Sequence, residues 1–133
     1  PRIMGGILWQ RNDEEDKAES VKYGLPDINL VIVDLYPFQE TVQSTTDGKA
    51  IVEKIDIGGI TMIRAAAKNF EDVLVVSSVA QYDELLQILE GQKCETFESQ
   101  RRYFAAKAFE VTAKYEIAIF NWFNQGEGVS EML

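Results

Sequence analysis

The run Asn29-Leu30-Val31-Ile32-Val33 decides the fold, because it is short, apolar and rich in β-branched residues, without polar alternation. Such a run predicts a strand that is buried on both faces. Pro26-Asp27 indicates a turn before this strand. Tyr36-Pro37 ends it, because proline cannot donate to a ladder and restricts the preceding residue. The strand therefore delivers residues 34–38 at its carboxyl end.

Outward from this run, a second buried strand is predicted at Asp72-Val73-Leu74-Val75-Val76-Ser77, after an alanine-rich helix that begins near Ile60. Further helices are predicted over residues 47–55, capped by Thr46 or Asp47, and over residues 79–90, ending at Gly91. Residues 96–125 read as one long helix or two, with residues 115–120 open to a strand interpretation. Alternating strands and helices indicate an α/β fold with a mainly parallel sheet covered on both faces.

Composition narrows the function classes. The 133 residues are 46% hydrophobic and 26% charged, which suits one domain with a real core. The formal net charge of −9 disfavours nucleic acid and anionic membranes as partners, and the acidic run at residues 13–16 reads as a solvated loop. No apolar run is long enough to span a membrane and none resembles a leader, so we expect a cytoplasmic protein.

The absence of histidine from the sequence restricts the chemistry. It removes serine–histidine triads and the common zinc sites, so we expect no metal, and acid–base work falls to Asp, Glu, Lys, Tyr or backbone groups. The single cysteine, Cys94, cannot form an internal disulfide and has no histidine to activate it, so a structural role is the better interpretation.

Three places could carry chemistry. Asp34 and Tyr36 follow the first strand, where they could accept and donate hydrogen bonds or simply close the core. Asp56-Ile57-Gly58-Gly59 precedes a helix, whose free N–H groups could support an oxyanion beside Asp56, although a plain glycine turn is the commoner meaning. Arg64, Lys68 and Asn69 lie toward a helix C-terminus, where basic residues are ordinary.

Taken together, these stretches resemble a known family. The order and spacing of Pro-Arg-Ile-Met-Gly-Gly-Ile-Leu, Asp-Leu-Tyr-Pro-Phe and Ile-Asp-Ile-Gly-Gly-Ile-Thr-Met-Ile-Arg-Ala-Ala-Ala-Lys-Asn are similar to the cyclohydrolase part of the bifunctional AICAR formyltransferase/IMP cyclohydrolase family. The later Ala106-Lys107-Ala108-Phe109 and Thr112-Ala113-Lys114-Tyr115 resemble that domain's closing helix. The likeness covers nearly all of residues 1–133, which would form a partial IMP cyclohydrolase domain.

The resemblance implies a methylglyoxal-synthase-like three-layer sandwich that closes formyl-AICAR to IMP with loss of water, in purine biosynthesis. It implies catalytic roles for Lys68, Asp56 and Tyr36, with Lys68 moving a proton beside Asp56 and Tyr36 polarising the formyl oxygen. Substrate contacts would come from Val33, Asp34, Asp56, Ile57 and Gly58. No cofactor is expected for this step, and 10-formyltetrahydrofolate would serve a formyltransferase domain beyond Leu133. A homodimer is implied for the full-length form.

Three departures qualify the likeness. The family usually has asparagine where Asp34 stands and often has histidine where Met4 stands. Its phosphate-gripping elements would lie upstream of Pro1, so we expect the chain alone to bind nucleotide weakly. The alternatives are a non-catalytic domain of the same fold that senses a phosphorylated metabolite, which would not need Tyr36, Asp56 and Lys68, and an acidic interaction domain without a small-molecule site.

Overall fold

The computed structural model describes residues 1–125, which form a short parallel sheet surrounded by helices. Residues 126–133, whose two glycines and polar side chains suggest a polar tail in the sequence, lie outside the described residues. In chain order the elements are α1 (Arg2–Leu8), α2 (Glu14–Tyr23), β1 (Leu30–Ile32), α3 (Phe38–Ser44), α4 (Gly48–Val52), α5 (Gly58–Lys68), β2 (Leu74–Val76), a 3₁₀ turn (Val79–Gln81), α6 (Tyr82–Gly91) and α7 (Glu98–Asn124).

The two strands pair in parallel, with Val31 of β1 opposite Val75 of β2. Helix α5 lies between them in the chain, which confirms the predicted α/β class and the parallel pairing. Because parallel strands point the same way, the segments that follow Ile32 and Val76 emerge at one edge of the sheet. That edge is where ligands gather in open α/β folds.

The core occupies both faces of β2. On one face Val75 and Val31 join a cluster with Ile7 of α1 and with the buried alanine and isoleucine side chains of α5. On the other face Leu74 and Val76 pack against residues from the last two helices, Leu85 and Phe104. Full burial of Leu74, Val75 and Val76 confirms the prediction for this strand.

The prediction that β1 is buried on both faces is wrong. Only Val31 is buried, while Leu30 and Ile32 on the opposite face are 37% and 47% exposed. These two side chains share a face with Leu74 and Val76, because the register pairs them directly. The cluster built from α6 and α7 covers β2 on that face but does not include the β1 residues.

Two predictions of non-helical structure are wrong. Residues 115–120 are helical, so the strand alternative is wrong, and α7 is one helix of 27 residues. The acidic run is also helical rather than a loop: the Asp13 carboxylate accepts the Asp16 N–H at 2.9 Å, and the acidic residues that follow occupy the first turn of α2. Negative charge is favourable at that end of a helix.

Other helix ends follow their signals. Asp47, rather than Thr46, caps α4, because its carboxylate accepts the Lys49 N–H at 3.0 Å. Gly91 is the last residue of α6, and the left-handed backbone beyond it falls on Lys93 and on the exposed Cys94. The three-layer sandwich and the methylglyoxal-synthase-like fold remain predictions.

Candidate functional site

A cavity of about 430 Å³ opens at the carboxyl edge of the sheet. Asp34 and Tyr36, from the segment after β1, line it, as do Ser77 and Ser78, from the segment after β2. The long helix α7 closes the other side, where Lys114 and Tyr115 face the cavity. The structure therefore brings two of the predicted site residues to one hollow, through the parallel topology that the sequence predicted.

A hydrogen bond from α6 holds the Asp34 carboxylate at this edge. The Tyr82 hydroxyl, at the start of α6, donates a hydrogen bond of 2.7 Å to Asp34 Oδ2. This hydrogen bond, with smaller contributions from desolvation and the carboxylate charge, raises the pKa of Tyr82 above its ordinary value. An asparagine at this position could accept the same hydrogen bond through its side-chain oxygen.

Asp56 lies at the start of α5, where two hydrogen bonds fix it. Its Oδ1 accepts the Gly59 N–H at 2.6 Å, and its own N–H donates to the Tyr115 hydroxyl at 2.7 Å. Tyr115 also lines the cavity, so the Asp56 segment adjoins the cavity through a shared side chain. Burial raises the pKa of Tyr115, nearby carboxylates raise it further, and the hydrogen bond from the Asp56 backbone acts in the opposite direction.

Tyr36 is linked to the same neighbourhood by Lys54. The Lys54 ammonium lies 5.4 Å from the centre of the Tyr36 ring, a cation–π distance, and Lys54 is two residues before Asp56. The Lys54 carbonyl in turn accepts a hydrogen bond of 3.3 Å from the Tyr115 hydroxyl. Tyr36 itself is 60% exposed, so its hydroxyl is accessible to a ligand.

Lys68 is not brought to this cavity. It is the exposed last residue of α5, while Asp56 precedes the first residue, Gly58. The rise of an α-helix separates the two ends of α5 by about 15 Å. Asp56 and Lys68 therefore do not meet within one chain. Neither is among the residues that line the cavity, which Asp56 adjoins only through Tyr115.

The remaining predicted contacts differ in what they can offer. The Val33 N–H is already used by the sheet, where it donates to the Val76 carbonyl at 2.9 Å. Ile57 and Gly58 are exposed, and the N–H of Gly58 belongs to the first turn of α5, where helix amides have no partner within the helix. Asn69 is structural, because its buried amide donates to the Ile7 carbonyl at 2.8 Å. Met4 packs against the core cluster.

Several residues at the cavity escaped prediction from the sequence. Tyr115, Lys114 and Tyr82 approach it from helices that are remote in the chain, and Ser77 and Ser78 reach it from the end of β2. The serines could have been found, because any residue that follows a parallel strand reaches the same edge. Tyr115 lies on the buried face of α7, and no local pattern in the sequence indicates the partners of its hydroxyl.

Elsewhere, a more open groove of about 620 Å³ lies between α6 and α7, bordered by Gln92 and Gln100, and none of the predicted site residues lines it. Over residues 1–125, no group of three or more carboxylates or thiols is arranged to hold a metal ion. In the same range, no helix combines the length and the apolar character needed to cross a membrane.

Comparison with known proteins agrees with the family resemblance. Residues 66–133 match the family described as the AICARFT/IMPCHase bienzyme. The chain is 52% identical over 128 residues to the bifunctional purine biosynthesis protein PurH of Bacteroides thetaiotaomicron, which covers 96% of this chain and 25% of that protein. PurH of Bartonella bacilliformis is 48% identical over 126 residues, which covers 94% of this chain and 23% of that protein.

A solved structure extends the comparison to three dimensions. The crystal structure of ForH superposes with a TM-score of 0.75 at 35% sequence identity, and covers 91% of this chain and 63% of that one. The chain spans about a quarter of the length of the two PurH proteins, 25% of the first and 23% of the second. On the family match and these relatives, the chain belongs to the AICARFT/IMPCHase bienzyme family.

Proposed function

We propose that this chain carries the IMP cyclohydrolase step of purine biosynthesis, which closes formyl-AICAR to IMP with loss of water. The observation that supports this most is the cavity at the carboxyl edge of the sheet, which Asp34 and Tyr36 line and which the Asp56 segment adjoins through Tyr115. Family membership and the names of the PurH relatives support a role in purine biosynthesis.

In the proposed reaction the carboxamide nitrogen of the substrate attacks the formyl carbon and forms the ring C–N bond. The Asp56 carboxylate accepts the proton that the nitrogen loses, and the Tyr36 hydroxyl donates to the formyl oxygen as charge develops on it. The hydroxyl group that results takes a second proton, the one that Asp56 accepted, and leaves as water. The former formamide N–H gives its proton to the Tyr36 phenolate as the ring C=N bond forms. These steps require positioning and proton transfer only, so we propose no cofactor for them.

The base would be held by polar groups around the same edge. We assign this role to Asp34, to the exposed backbone of Ile57 and Gly58, and to the Asp56 segment. Val33 can contribute only its carbonyl oxygen or its side chain, because its N–H donates to Val76. A methylglyoxal-synthase-like fold, a homodimer, a cytoplasmic location and a folate-dependent transferase domain elsewhere in the full protein remain predictions from the resemblance.

The proton-transfer role of Lys68 is the part of this proposal that the geometry supports least. Lys54 is the basic residue beside Tyr36, at 5.4 Å from its ring, whereas Lys68 is at the far end of α5. We therefore propose Asp56 and Tyr36 as the reacting pair within one chain. Lys68 would act only where another part of the assembly brings it to a cavity.

The test is conversion of formyl-AICAR to IMP, followed by absorbance, in a protein of the relatives' full length. We expect conversion by the unaltered protein and a loss of about 100-fold or more in kcat for Asp56→Asn, the scale of general acid–base catalysis. Lys54→Ala and Lys68→Ala are compared with Lys17→Ala, a control on the exposed face of α2. Unchanged kcat in Lys68→Ala would remove Lys68 from the mechanism.

The alternative is a domain that senses a phosphorylated metabolite without turning it over. It is less well supported, because the relatives are named as bifunctional biosynthetic proteins. A full-length protein that bound IMP stoichiometrically and yet left formyl-AICAR unconverted would favour the sensor.

A further inference from the structure

We propose that Tyr115 of α7 is a positioning residue for the Asp56 carboxylate. We also propose that Gly59 positions this carboxylate, because it donates a hydrogen bond to it and has no side chain to displace it. The proposal rests on the proposed function, because it concerns the residue to which we assign proton acceptance. Neither residue reacts in this scheme. Both act by fixing where the Asp56 oxygen atoms lie.

The first support is the hydroxyl of Tyr115, which holds the backbone on both sides of Ile55. It accepts the Asp56 N–H at 2.7 Å and donates to the Lys54 carbonyl at 3.3 Å. These contacts join residues 59 and 61 positions apart in the chain. Because Tyr115 is only 9% exposed and its ring packs edge-on against Phe38, the hydroxyl has little freedom to move.

The second support is the closeness of Gly59 to the carboxylate. Its N–H donates to Asp56 Oδ1 at 2.6 Å, and a Cβ atom added at Gly59 would lie 2.6 Å from Oδ2, 2.9 Å from Oδ1 and 3.0 Å from Cγ. All three distances are too short for a side chain to fit without moving the carboxylate. Any other residue at this position must therefore displace Asp56, although the backbone of Gly59 is ordinary helix.

Together, three features fix the position of the Asp56 carboxylate. Tyr115 fixes the main chain of Asp56, the Gly59 N–H fixes one oxygen, and the bare Cα of Gly59 lets the group lie flat on the first turn of α5. Since Tyr115 also lines the cavity, the element that closes the cavity is the element that sets the proposed base. A displacement of about 1 Å in such a group can lower a rate by about 100-fold.

The experiment is a double-mutant cycle in the full-length protein. We measure kcat for formyl-AICAR closure per IMP-binding site, counted by titration, for the unaltered protein, Tyr115→Phe, Asp56→Asn and the double variant, with single-turnover measurements for the slow ones. Tyr115→Phe keeps the ring and removes only the hydroxyl. We expect a fall in kcat of about 10- to 100-fold when Asp56 is present and no further fall in the Asp56→Asn background.

Matched controls separate positioning from stability. Tyr103→Phe removes an exposed hydroxyl from the same helix, and Gly91→Ala adds a methyl group at the end of α6, where nothing lies within 4 Å. We expect both to retain the unaltered kcat. Gly59→Ala should lose activity as Tyr115→Phe does, and should likewise have no further effect in the Asp56→Asn background.

Two results overturn the inference. Equal losses from Tyr115→Phe in both backgrounds would mean a general structural role, and full activity in both Tyr115→Phe and Gly59→Ala would mean that the contacts are not needed. Failure of the proposed function is distinct from these results, because the unaltered protein would then not convert formyl-AICAR at all.

Discussion

Leu30 of β1 and Leu74 of β2 are paired in register on one face of the sheet, yet Leu30 is 37% exposed and Leu74 is 1% exposed. Both belong to short apolar runs that look alike in the sequence. The difference arises because Leu85 and Phe104 cover that face at β2, in a cluster that does not reach β1. Burial of a strand therefore depends on the helix that lies over it, and the residues of the strand do not reveal that helix.

Truncation of the paired leucines should give the largest contrast. Leu74→Ala removes a fully buried side chain and should lower the free energy of unfolding by about 2–5 kcal/mol. Leu30→Ala, the matched control on the same face, should cost less, about 1–2 kcal/mol, because its side chain is 37% exposed and its loss leaves no closed cavity. Equilibrium urea unfolding measures both. Equal costs would contradict the contrast.

Removal of the Asn69 side chain, which anchors the segment before β2, should lower the free energy of unfolding by less than Leu74→Ala does. The buried Asn69 amide donates to the carbonyls of Ile7 and Trp9, so it ties the end of α5 to α1 just before β2 begins. Asn69→Ala leaves these carbonyls without that donor and should lower the unfolding free energy by about 1–3 kcal/mol. Asn12→Ala, at an exposed position, is the control. A neutral Asn69→Ala would mean that β2 holds its place without this tie.

The hydrogen bond between Tyr82, at the start of α6, and Asp34, after β1, should give the smallest effect, which is a change in titration. The Asp34 carboxylate raises the pKa of Tyr82 above the ordinary 10.0. The contribution of this hydrogen bond to stability is therefore present below pH 10.0 and is lost as the pH rises through the raised pKa of the folded protein. Asp34→Asn should return the Tyr82 pKa toward its ordinary value, as measured by tyrosinate absorbance.

Assignment of that titration requires a second variant. Tyr82→Phe should delete the late-titrating tyrosine from the absorbance curve while Tyr115, whose pKa burial also raises, continues to titrate late. An Asp34→Asn curve that matched the unaltered protein would show that Asp34 does not govern Tyr82.

Much of the fold could be predicted because its signals are local. The apolar run at 72–77 predicted a strand buried on both faces, and Asp47 predicted a helix start, because each pattern is written in neighbouring residues. The same approach failed in part at residues 13–16, where an acidic run that is mostly exposed was interpreted as a loop, although acids also stabilise a helix start. It failed again at Leu30 and Ile32, whose exposure is decided by helices far along the chain.

The candidate site also contains residues that local sequence signals could place and residues that they could not. Asp34 and Tyr36 could be placed at the carboxyl edge of the sheet, since parallel topology fixes where the residues after a strand go. The cooperation of Lys68 with Asp56 that the resemblance implies is not met within the chain, because α5 is one helix between them and its rise keeps them apart. The hydroxyl of Tyr115 could not be placed, because its partners lie 59 and 61 positions away.

The length of α7 has a consequence for sequence change in this family. Phe104 covers one face of β2, and Tyr115 contacts the Asp56 backbone. Tyr115 lies eleven positions after Phe104, or about three turns, so both side chains project from one side of α7. Insertion or deletion of a single residue between them would rotate one about 100° relative to the other. Evolution can therefore exchange side chains freely along the outer side of this helix, but it can alter the spacing only by whole turns.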